Sequence, residues 1–260
     1  MLAANPFAAL SAFLSPLIPQ AYVVAMFLLV AAGTVYDMLH KGSARYFFDS
    51  WDAMKRRGVR RVGGGEMLGL ALATAAEALA SGEFCSTRRR IAHLLTMYGF
   101  AAYAVTTAVL VFCYPTPATP APAIWPEVWS VGALMICVGG YWFWFFIRVD
   151  VAAEGNSPWR VVRADLFILS LLASATLALF WAYAQVSGSA WALPLLGLYL
   201  IATTVLFGSV PWSKFSHMFF KPAAAFEKRV ADANGSRNNL PAPADLPATF
   251  GSVRRQPRHY

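Results

Sequence analysis

The sequence predicts an all-α integral membrane protein, built as a bundle of five transmembrane helices. Of its 260 residues, 58% are hydrophobic and 13% are charged, whereas about 25% of the residues in an ordinary soluble domain are charged. The mean hydropathy of +0.51 agrees with the membrane class. Nine tryptophan, ten tyrosine and nineteen phenylalanine residues are typical of a protein with aromatic belts at both membrane interfaces.

Five stretches are long and apolar enough to cross a hydrocarbon core of about 30 Å. They cover about residues 19–39, 93–114, 128–147, 166–184 and 191–210. A further apolar stretch, 66–84, carries three glutamates, so we predict that it does not span and is an amphipathic cytoplasmic or interfacial helix. It belongs to a cytoplasmic amphipathic segment, 41–92. Residues 1–222 then form the membrane domain. Residues 223–260 form a polar cytoplasmic tail, which is either disordered or folded on a partner.

The basic residues indicate how the five helices are oriented. All 21 lysine and arginine residues lie in three segments, 41–90, 148–163 and 214–258. With five spans these segments fall on one side of the membrane, and the positive-inside rule makes that side cytoplasmic. We therefore predict a multi-pass protein of the cytoplasmic (inner) membrane, with its N-terminus outside and its C-terminus in the cytoplasm.

Charge and cysteine spacing argue against several other functions. A net charge of +8 can indicate nucleic-acid binding in a soluble protein, but topology accounts for it here, and we predict no nucleic-acid partner. The sequence has no zinc-finger, Rossmann or P-loop pattern. Its three cysteines, Cys85, Cys113 and Cys137, are too far apart to predict a cysteine-ligated cluster.

Three of the four histidines gather at one interface. His40 ends the first predicted span, His93 opens the second and His217 follows the fifth, whereas His259 lies in the tail. Two neutral imidazoles at equal depth on facing helices can clamp a b-type haem. His93 and His217 satisfy the depth condition, and His40 is an alternative ligand. The competing interpretation is that each histidine simply lies in the headgroup layer at a helix end.

Basic side chains lie beside these histidines. Arg88–Arg90 precede His93, and Lys214 precedes His217. Guanidinium and ammonium groups at that depth can bind the propionates of a haem. Arginines are also what the positive-inside rule places at the end of a span, so the cluster alone does not predict a cofactor.

Two further features lie deeper in the predicted spans. Gly99, Gly139 and Gly140 can admit a flat ring, or they can let neighbouring helices approach closely. Tyr103 and Tyr199 are polar groups in apolar helices. Packing or an interhelical hydrogen bond is their simplest role, and contact with a quinone is the alternative.

Two motifs resemble those of a known family of membrane cytochromes. They are "FCSTRRRIAHLLTMYGFAAY" at 84–103 and "VPWSKFSHMFFKP" at 210–222. The family comprises the membrane cytochrome b subunits related to the nitrate reductase gamma chain and to heterodisulfide-reductase-like complexes. In it an arginine-arginine-x-x-histidine opens the second of five spans, and a proline-x-serine-lysine-x-x-histidine-methionine closes the fifth.

The resemblance implies which residues bind a cofactor. It makes His93 and His217 the axial ligands of one haem b on the cytoplasmic side. It places Arg89, Arg90 and Lys214 beside that haem. The five-span topology with the N-terminus outside is also what the resemblance implies.

The sequence departs from this family in the outer half of the membrane. The nitrate reductase relatives use a second histidine pair there, whereas this chain has Tyr103 and Tyr199 at roughly the corresponding positions. The resemblance therefore implies one haem, and it leaves a haem-free anchor as an alternative.

Small size and the absence of an iron–sulfur domain narrow the resemblance to the membrane anchors associated with adenylylsulfate reductase. The implied partners are that cytoplasmic reductase, with its FAD and iron–sulfur subunits, quinone and membrane lipid. The chain would then be a non-catalytic electron-transfer subunit of an oxidoreductase complex in dissimilatory sulfur metabolism. A cofactor-free anchor or assembly protein is the alternative. A small transporter ranks third, because the span centres carry no charged residue and no internal repeat is evident.

Overall fold

The computed structural model is helical. It describes residues 4–82, 84, 86–162, 165–212 and 217–236, except for the side chains of Asp150, His217 and Phe219. No β-strand occurs in these described residues. The helices are α1 (Leu17–His40), α2 (Ser43–Arg57), α3 (Gly64–Leu79), α4 (Thr87–Cys113), α5 (Ile124–Trp142), α6 (Val149–Ala152), α7 (Leu166–Val186), α8 (Ala192–Gly208) and α9 (His217–Ala233). A π-helical turn, Phe143–Ile147, prolongs α5, and 3₁₀ turns cover Ala8–Ala12 and Val210–Trp212.

Four helices are long and apolar enough to cross a membrane: α1, α4, α5 with its π-helical turn, and α7. They confirm the prediction of a multi-pass membrane protein and match four of the five predicted spans. The fifth predicted span coincides with α8, an apolar helix of 17 residues. At 1.5 Å per residue α8 is about 25 Å long, and the 3₁₀ turn at Val210–Trp212 follows it almost directly.

Contacts divide the chain into two compact units. The first unit contains Met1–Asp37 and Ser86–Ser216, and so holds α4 to α8 together with most of α1. The second unit contains Met38–Cys85 and His217–Tyr260, and so holds α2, α3 and α9.

In the first unit, α4 and α5 pack antiparallel through glycines. A Cβ atom at Gly99 would lie 2.8 Å from the carbonyl oxygen of Gly132, and one at Gly132 would lie 2.8 Å from the carbonyl oxygen of Gly99. A Cβ atom at Gly139 would lie 2.7 Å from the carbonyl oxygen of Ala92. The two backbones touch over two turns because these positions have no side chain. Of the two interpretations of Gly99 and Gly139, the structure shows close helix packing.

Helices α7 and α8 complete a four-helix bundle with α4 and α5. A Cβ atom at Gly140 would lie 2.6 Å from Cδ2 of Leu172, so α5 fits closely against α7. Ser174 of α7 and Thr203 of α8 share a hydrogen bond of 2.8 Å. The core common to the four helices includes Tyr103, Leu110, Trp129, Ile136, Ala175, Trp181, Tyr199 and Leu206.

Helix α1 packs on the rest of this unit through one side, where Met26, Gly33 and Asp37 are buried. The Tyr22 hydroxyl donates to the carbonyl oxygen of Leu200 at 2.9 Å. The Gln20 amide donates to the carbonyl oxygen of Val111 at 3.2 Å. Large apolar side chains such as Phe27 remain mostly exposed. In a membrane, such a helix presents most of its circumference to lipid or to another membrane helix.

The N-terminal segment folds back onto the bundle. Phe7 is buried, and its ring lies 5.7 Å from that of Trp129 and 5.2 Å from that of Trp181, edge-on to both. The Asn5 amide donates to the carbonyl oxygen of Tyr114, just after α4, at 2.8 Å. The segment therefore closes one end of the bundle, the Phe7 end. His93, near the other end of α4, marks the opposite end, the His93 end.

The second unit is a cluster of three helices. Met54 of α2 packs against Val230 of α9, and Leu70 of α3 joins the same apolar cluster. Asn234 follows α9, and its carbonyl oxygen accepts a hydrogen bond from the N–H of Val59 at 2.9 Å. The segment after α2 is thereby tied to the end of α9.

Helix α9 extends into the predicted tail, 223–260. It runs through Pro222, which removes one backbone hydrogen bond, the one that the carbonyl of Met218 would accept near the start of the helix. Phe226 and Val230 then pack in the apolar cluster of the second unit, although the sequence predicts no core in the tail. Residues 237–260 lie outside the described residues.

Candidate functional site

The first predicted haem ligand lies in the second turn of α4. This helix begins at Thr87, before the predicted span, so Arg88–Arg90 and His93 belong to one continuous helix. His93 is half-buried. It precedes Phe100 by seven residues, or two helical turns, and the Phe100 ring lies 6.4 Å from that of Phe207 on α8. His93 therefore lies on the side of α4 that faces α8.

The other predicted ligands belong to the second unit. His217 begins α9, but its side chain lies outside the described part of the structure, and so does Lys214. His40 is the exposed last residue of α1. The pairing of His93 with His217 stays a prediction. Among the described residues, no group of three or more His, Cys, Asp or Glu side chains could hold a metal ion, but an axially ligated haem needs only two side chains.

One of the arginines at this end contacts the neighbouring helix. The Nη2 atom of Arg89 donates to the carbonyl oxygen of Ile147, 3.4 Å away, at the end of the π-helical turn. A basic side chain that reaches a terminal carbonyl stabilises the end of a helix. Arg88 and Arg90 are exposed. Arg89 therefore helps to join α4 to α5, in addition to any role beside a cofactor.

A buried hydrogen bond joins Tyr103 and Tyr199, the two polar residues singled out in the apolar helices. The hydroxyl of Tyr103 on α4 donates to the hydroxyl of Tyr199 on α8 over 2.7 Å. The two residues are 8% and 5% exposed. Of the roles predicted for them, the structure shows the interhelical hydrogen bond.

Aromatic rings fill the space around this pair. Trp181 stacks on Tyr199 with ring centroids 5.6 Å apart, and Trp129 lies 5.3 Å from Tyr103. Both tryptophans are 0% exposed. The indole N–H of Trp129 donates to Thr107 at 2.9 Å, whereas that of Trp181 has no acceptor within the described part of the chain. With side chains packed in this way, α4 and α8 leave no room for a macrocycle at this level.

We expect Tyr103→Phe and Tyr199→Phe each to lower the free energy of unfolding by about 1 kcal/mol, because each removes one partner of a buried hydrogen bond. The double variant should lose little more than either single variant, since both partners are then gone. Tyr183→Phe is the control, because Tyr183 is 59% exposed on α7. Unfolding in mixed detergent micelles measures all four proteins, and fully additive losses would contradict a direct bond.

The sequence analysis missed a buried carboxyl group in the first span. Asp37 of α1 is only 1% exposed. Gly33 lies one helical turn before Asp37. A Cβ atom at Gly33 would lie 3.1 Å from Cδ of Pro211, so this face of α1 packs closely on Pro211. Glycine and aspartate four residues apart share one helix face, and that spacing was the available signal. The face packs on the beginning of the second family-like motif, 210–222.

A groove of about 590 Å³ runs along the surface of the bundle between α4 and α5. Its lining includes Ala102, Val131 and Met135, with Tyr98 and Glu127 among its few polar residues. Apolar grooves of this kind accommodate extended hydrocarbon chains.

These observations define a helical, multi-pass membrane protein with a closed aromatic core and a histidine near one end of its bundle. Comparisons with protein-family models, with curated proteins and with solved structures find no match for this chain. Function must therefore be argued from its own residues.

Proposed function

We propose that this chain is an AprM-type membrane anchor and electron-transfer subunit. It links a cytoplasmic adenylylsulfate reductase to the quinone pool through one b-type haem. The FAD and iron–sulfur subunits of the reductase carry out the sulfur chemistry, and this chain is non-catalytic. The observation that carries the proposal is His93, half-buried on the α8-facing side of α4 directly after its arginines.

The proposal assigns the haem to the His93 end of the bundle. His93 and His217 are its axial ligands, with His40 as the alternative. Arg89, Arg90 and Lys214 would bind its propionates. The half-buried His93 imidazole, which faces a neighbouring helix and lies close to exposed guanidinium groups, would supply one of the two axial nitrogen donors that such a haem needs. When bound, the haem accepts and releases single electrons.

The proposal also assigns the orientation of the chain in the membrane. The N-terminus lies outside and the C-terminus in the cytoplasm, because the basic segments 41–90, 148–163 and 214–258 all follow odd-numbered spans. A basic cytoplasmic face of this kind would steer an acidic soluble partner toward the membrane. The membrane is then the cytoplasmic (inner) membrane.

Quinone is the proposed electron partner within the lipid. The apolar groove between α4 and α5 suits the isoprenoid tail of a quinone, as it does a lipid acyl chain. The Tyr103–Tyr199 pair is already engaged within the core, so the proposal places no quinone there.

The test is a reduced-minus-oxidised absorption spectrum of the purified protein, with haem quantified per chain. We expect one b-type haem per chain. His93→Ala and His217→Ala should each abolish the b-type signal, because a haem with one axial imidazole removed loses both its spectrum and most of its binding. Membrane insertion of both variants is checked in parallel.

His259→Ala is the matched control, because that histidine lies in the tail and should leave the spectrum unchanged. If the wild-type protein, expressed with ample haem, contains none, haem-mediated electron transfer through this subunit is excluded and a cofactor-free anchor takes its place. If only His40→Ala removes the haem, the assigned ligand pair is wrong.

A further inference from the structure

The second unit exposes an apolar helix face that its own core does not cover. Helix α3 packs against α9 through the side that carries Leu70 and the buried Thr74. Its other side carries Leu68, Leu72 and Leu79, which are 61%, 63% and 57% exposed. Ala75 and Ala76 are also exposed beside these leucines, whereas the exposed Glu77 lies on the opposite side of the helix. A continuous apolar face of this kind marks an interaction surface.

The two carboxylates of α3 are both paired with arginines. Arg60 donates to Glu66 through two nitrogen atoms, at 2.8 and 2.5 Å. This hydrogen bonding lowers the pKa of the Glu66 carboxyl and keeps it ionised. Near the other end of the helix, Arg229 of α9 forms a salt bridge with Glu77. Pairing at both ends reduces the charge that α3 presents.

A basic segment precedes this face. The segment "KRRGVRR", residues 55–61, has five cationic side chains, all exposed. It ends three residues before Gly64, the first residue of α3. Arg60 pairs with Glu66, and Lys55 lies over the Trp51 ring, 5.6 Å from its centre. The exposed Arg56, Arg57 and Arg61 add three more cations to this surface. Basic residues next to an exposed apolar helix are the pattern of proteins that bind anionic lipid surfaces.

The chain itself keeps α3 near a bilayer. Only residues 80–86 separate its end from α4, a spanning helix. Seven residues reach at most about 25 Å when fully extended. Because this short link joins α3 to a membrane-spanning helix, membrane lipid is always within reach of its apolar face.

We propose that α3 lies in the surface of the bilayer, with its leucine face among the acyl chains and segment 55–61 on anionic phospholipid headgroups. The apolar face and the cations contribute separately to membrane binding, and together they bind a segment to the bilayer more strongly than either does alone. Anionic lipid content then determines how deeply α3 is seated. This inference is independent of the haem and of the soluble partner.

The experiment uses the full chain, with native cysteines removed and one nitroxide label attached at Leu72→Cys. The protein is reconstituted in nanodiscs of neutral phosphatidylcholine, with or without anionic phosphatidylglycerol. Collision rates with oxygen, which partitions into lipid, and with a water-soluble nickel chelate report where the label lies. We expect oxygen contact to dominate, and more strongly with the anionic lipid. A label at Asp52→Cys, an exposed position of α2, is the control and should favour nickel.

A charge variant tests the second contribution. Replacing Lys55, Arg56, Arg57 and Arg61 with glutamine should abolish the difference between the two lipid compositions at Leu72→Cys. Preferential contact with nickel in both compositions would overturn the proposal. Spin–spin coupling between labels on two chains would also overturn it, because it would assign the leucine face to a second copy. An unchanged lipid dependence in the glutamine variant would exclude the headgroup contact.

Discussion

Replacing Gly99 with leucine is expected to lower the free energy of unfolding by about 3 kcal/mol or more, since overpacking alone typically costs about 1–3 kcal/mol. A Cβ atom there would lie 2.8 Å from the carbonyl oxygen of Gly132 and 2.8 Å from Cβ of Met135. The first of these neighbours is backbone, so it cannot rotate out of the way. The α4–α5 pair would have to separate along the surface that also carries Gly139.

Gly197→Leu provides the matched control for this result. Gly197 is an exposed glycine of α8, and a Cβ atom there meets nothing within 4 Å. Because leucine is a better helix former than glycine, this variant should be neutral or slightly stabilised. Unfolding in mixed detergent micelles compares both variants with the wild type. Equal stability of the Gly99 and Gly197 variants would show that α4 and α5 do not touch as described.

Arg148→Ala is expected to lower the free energy of unfolding by about 3–5 kcal/mol, the range for removing one partner of a buried ion pair. Arg148 is 5% exposed and donates to Asp165 at 3.0 Å. It also donates to the carbonyl oxygens of Pro158 and Arg160, at 2.9 and 2.6 Å. Its guanidinium carbon lies 3.8 Å from the centre of the Trp144 ring. One side chain thus holds the connection between the end of α5 and the start of α7.

Two further variants separate the contributions of Arg148. Arg148→Lys keeps the charge but loses the planar group with several donors, so it should recover only part of the lost stability. Arg45→Ala is the surface control, because its salt bridge with Asp49 joins side chains that are 90% and 74% exposed. Such pairs contribute at most about 1 kcal/mol. Thermal unfolding in detergent, with limited proteolysis of residues 153–162, compares the three variants. A loss for Arg148→Ala no larger than that for Arg45→Ala would show that the connection does not depend on this arginine.

The helices themselves could largely be predicted from the sequence, since long apolar runs locate membrane spans through composition alone. Helix α8 shows the limit of that reasoning. Its run was predicted from 191 to 210, but the helix ends at Gly208 and a 3₁₀ turn follows. Propensity and hydropathy do not determine where a continuous apolar segment changes its hydrogen-bond pattern.

Contacts between helices could be predicted only where a residue type has few possible partners in the membrane. The Tyr103–Tyr199 bond follows from two polar groups in apolar helices, which seek partners in the bundle core. Arg148 could not be recognised in this way. From sequence it was one of many arginines expected at a basic interface, and its burial depends on how residues 153–162 fold around it. The proposed ligands His93 and His217 are a third case, because only the tertiary structure determines whether two histidines distant in sequence lie close together.

The Phe7 contact has a consequence for the order in which this protein is made. Residues 5–12 are synthesised before the helices of the bundle, yet Phe7 packs against Trp129 and Trp181, which are synthesised much later. Until α5 and α7 have been inserted, the first segment of the chain has no place to bind. Helix α1 likewise packs on residues that are synthesised later, with Gly33 against Pro211 and Tyr22 against Leu200. This N-terminal segment can therefore reach its folded position only after α5 and α7 are present, so it is among the last parts of the unit to fold.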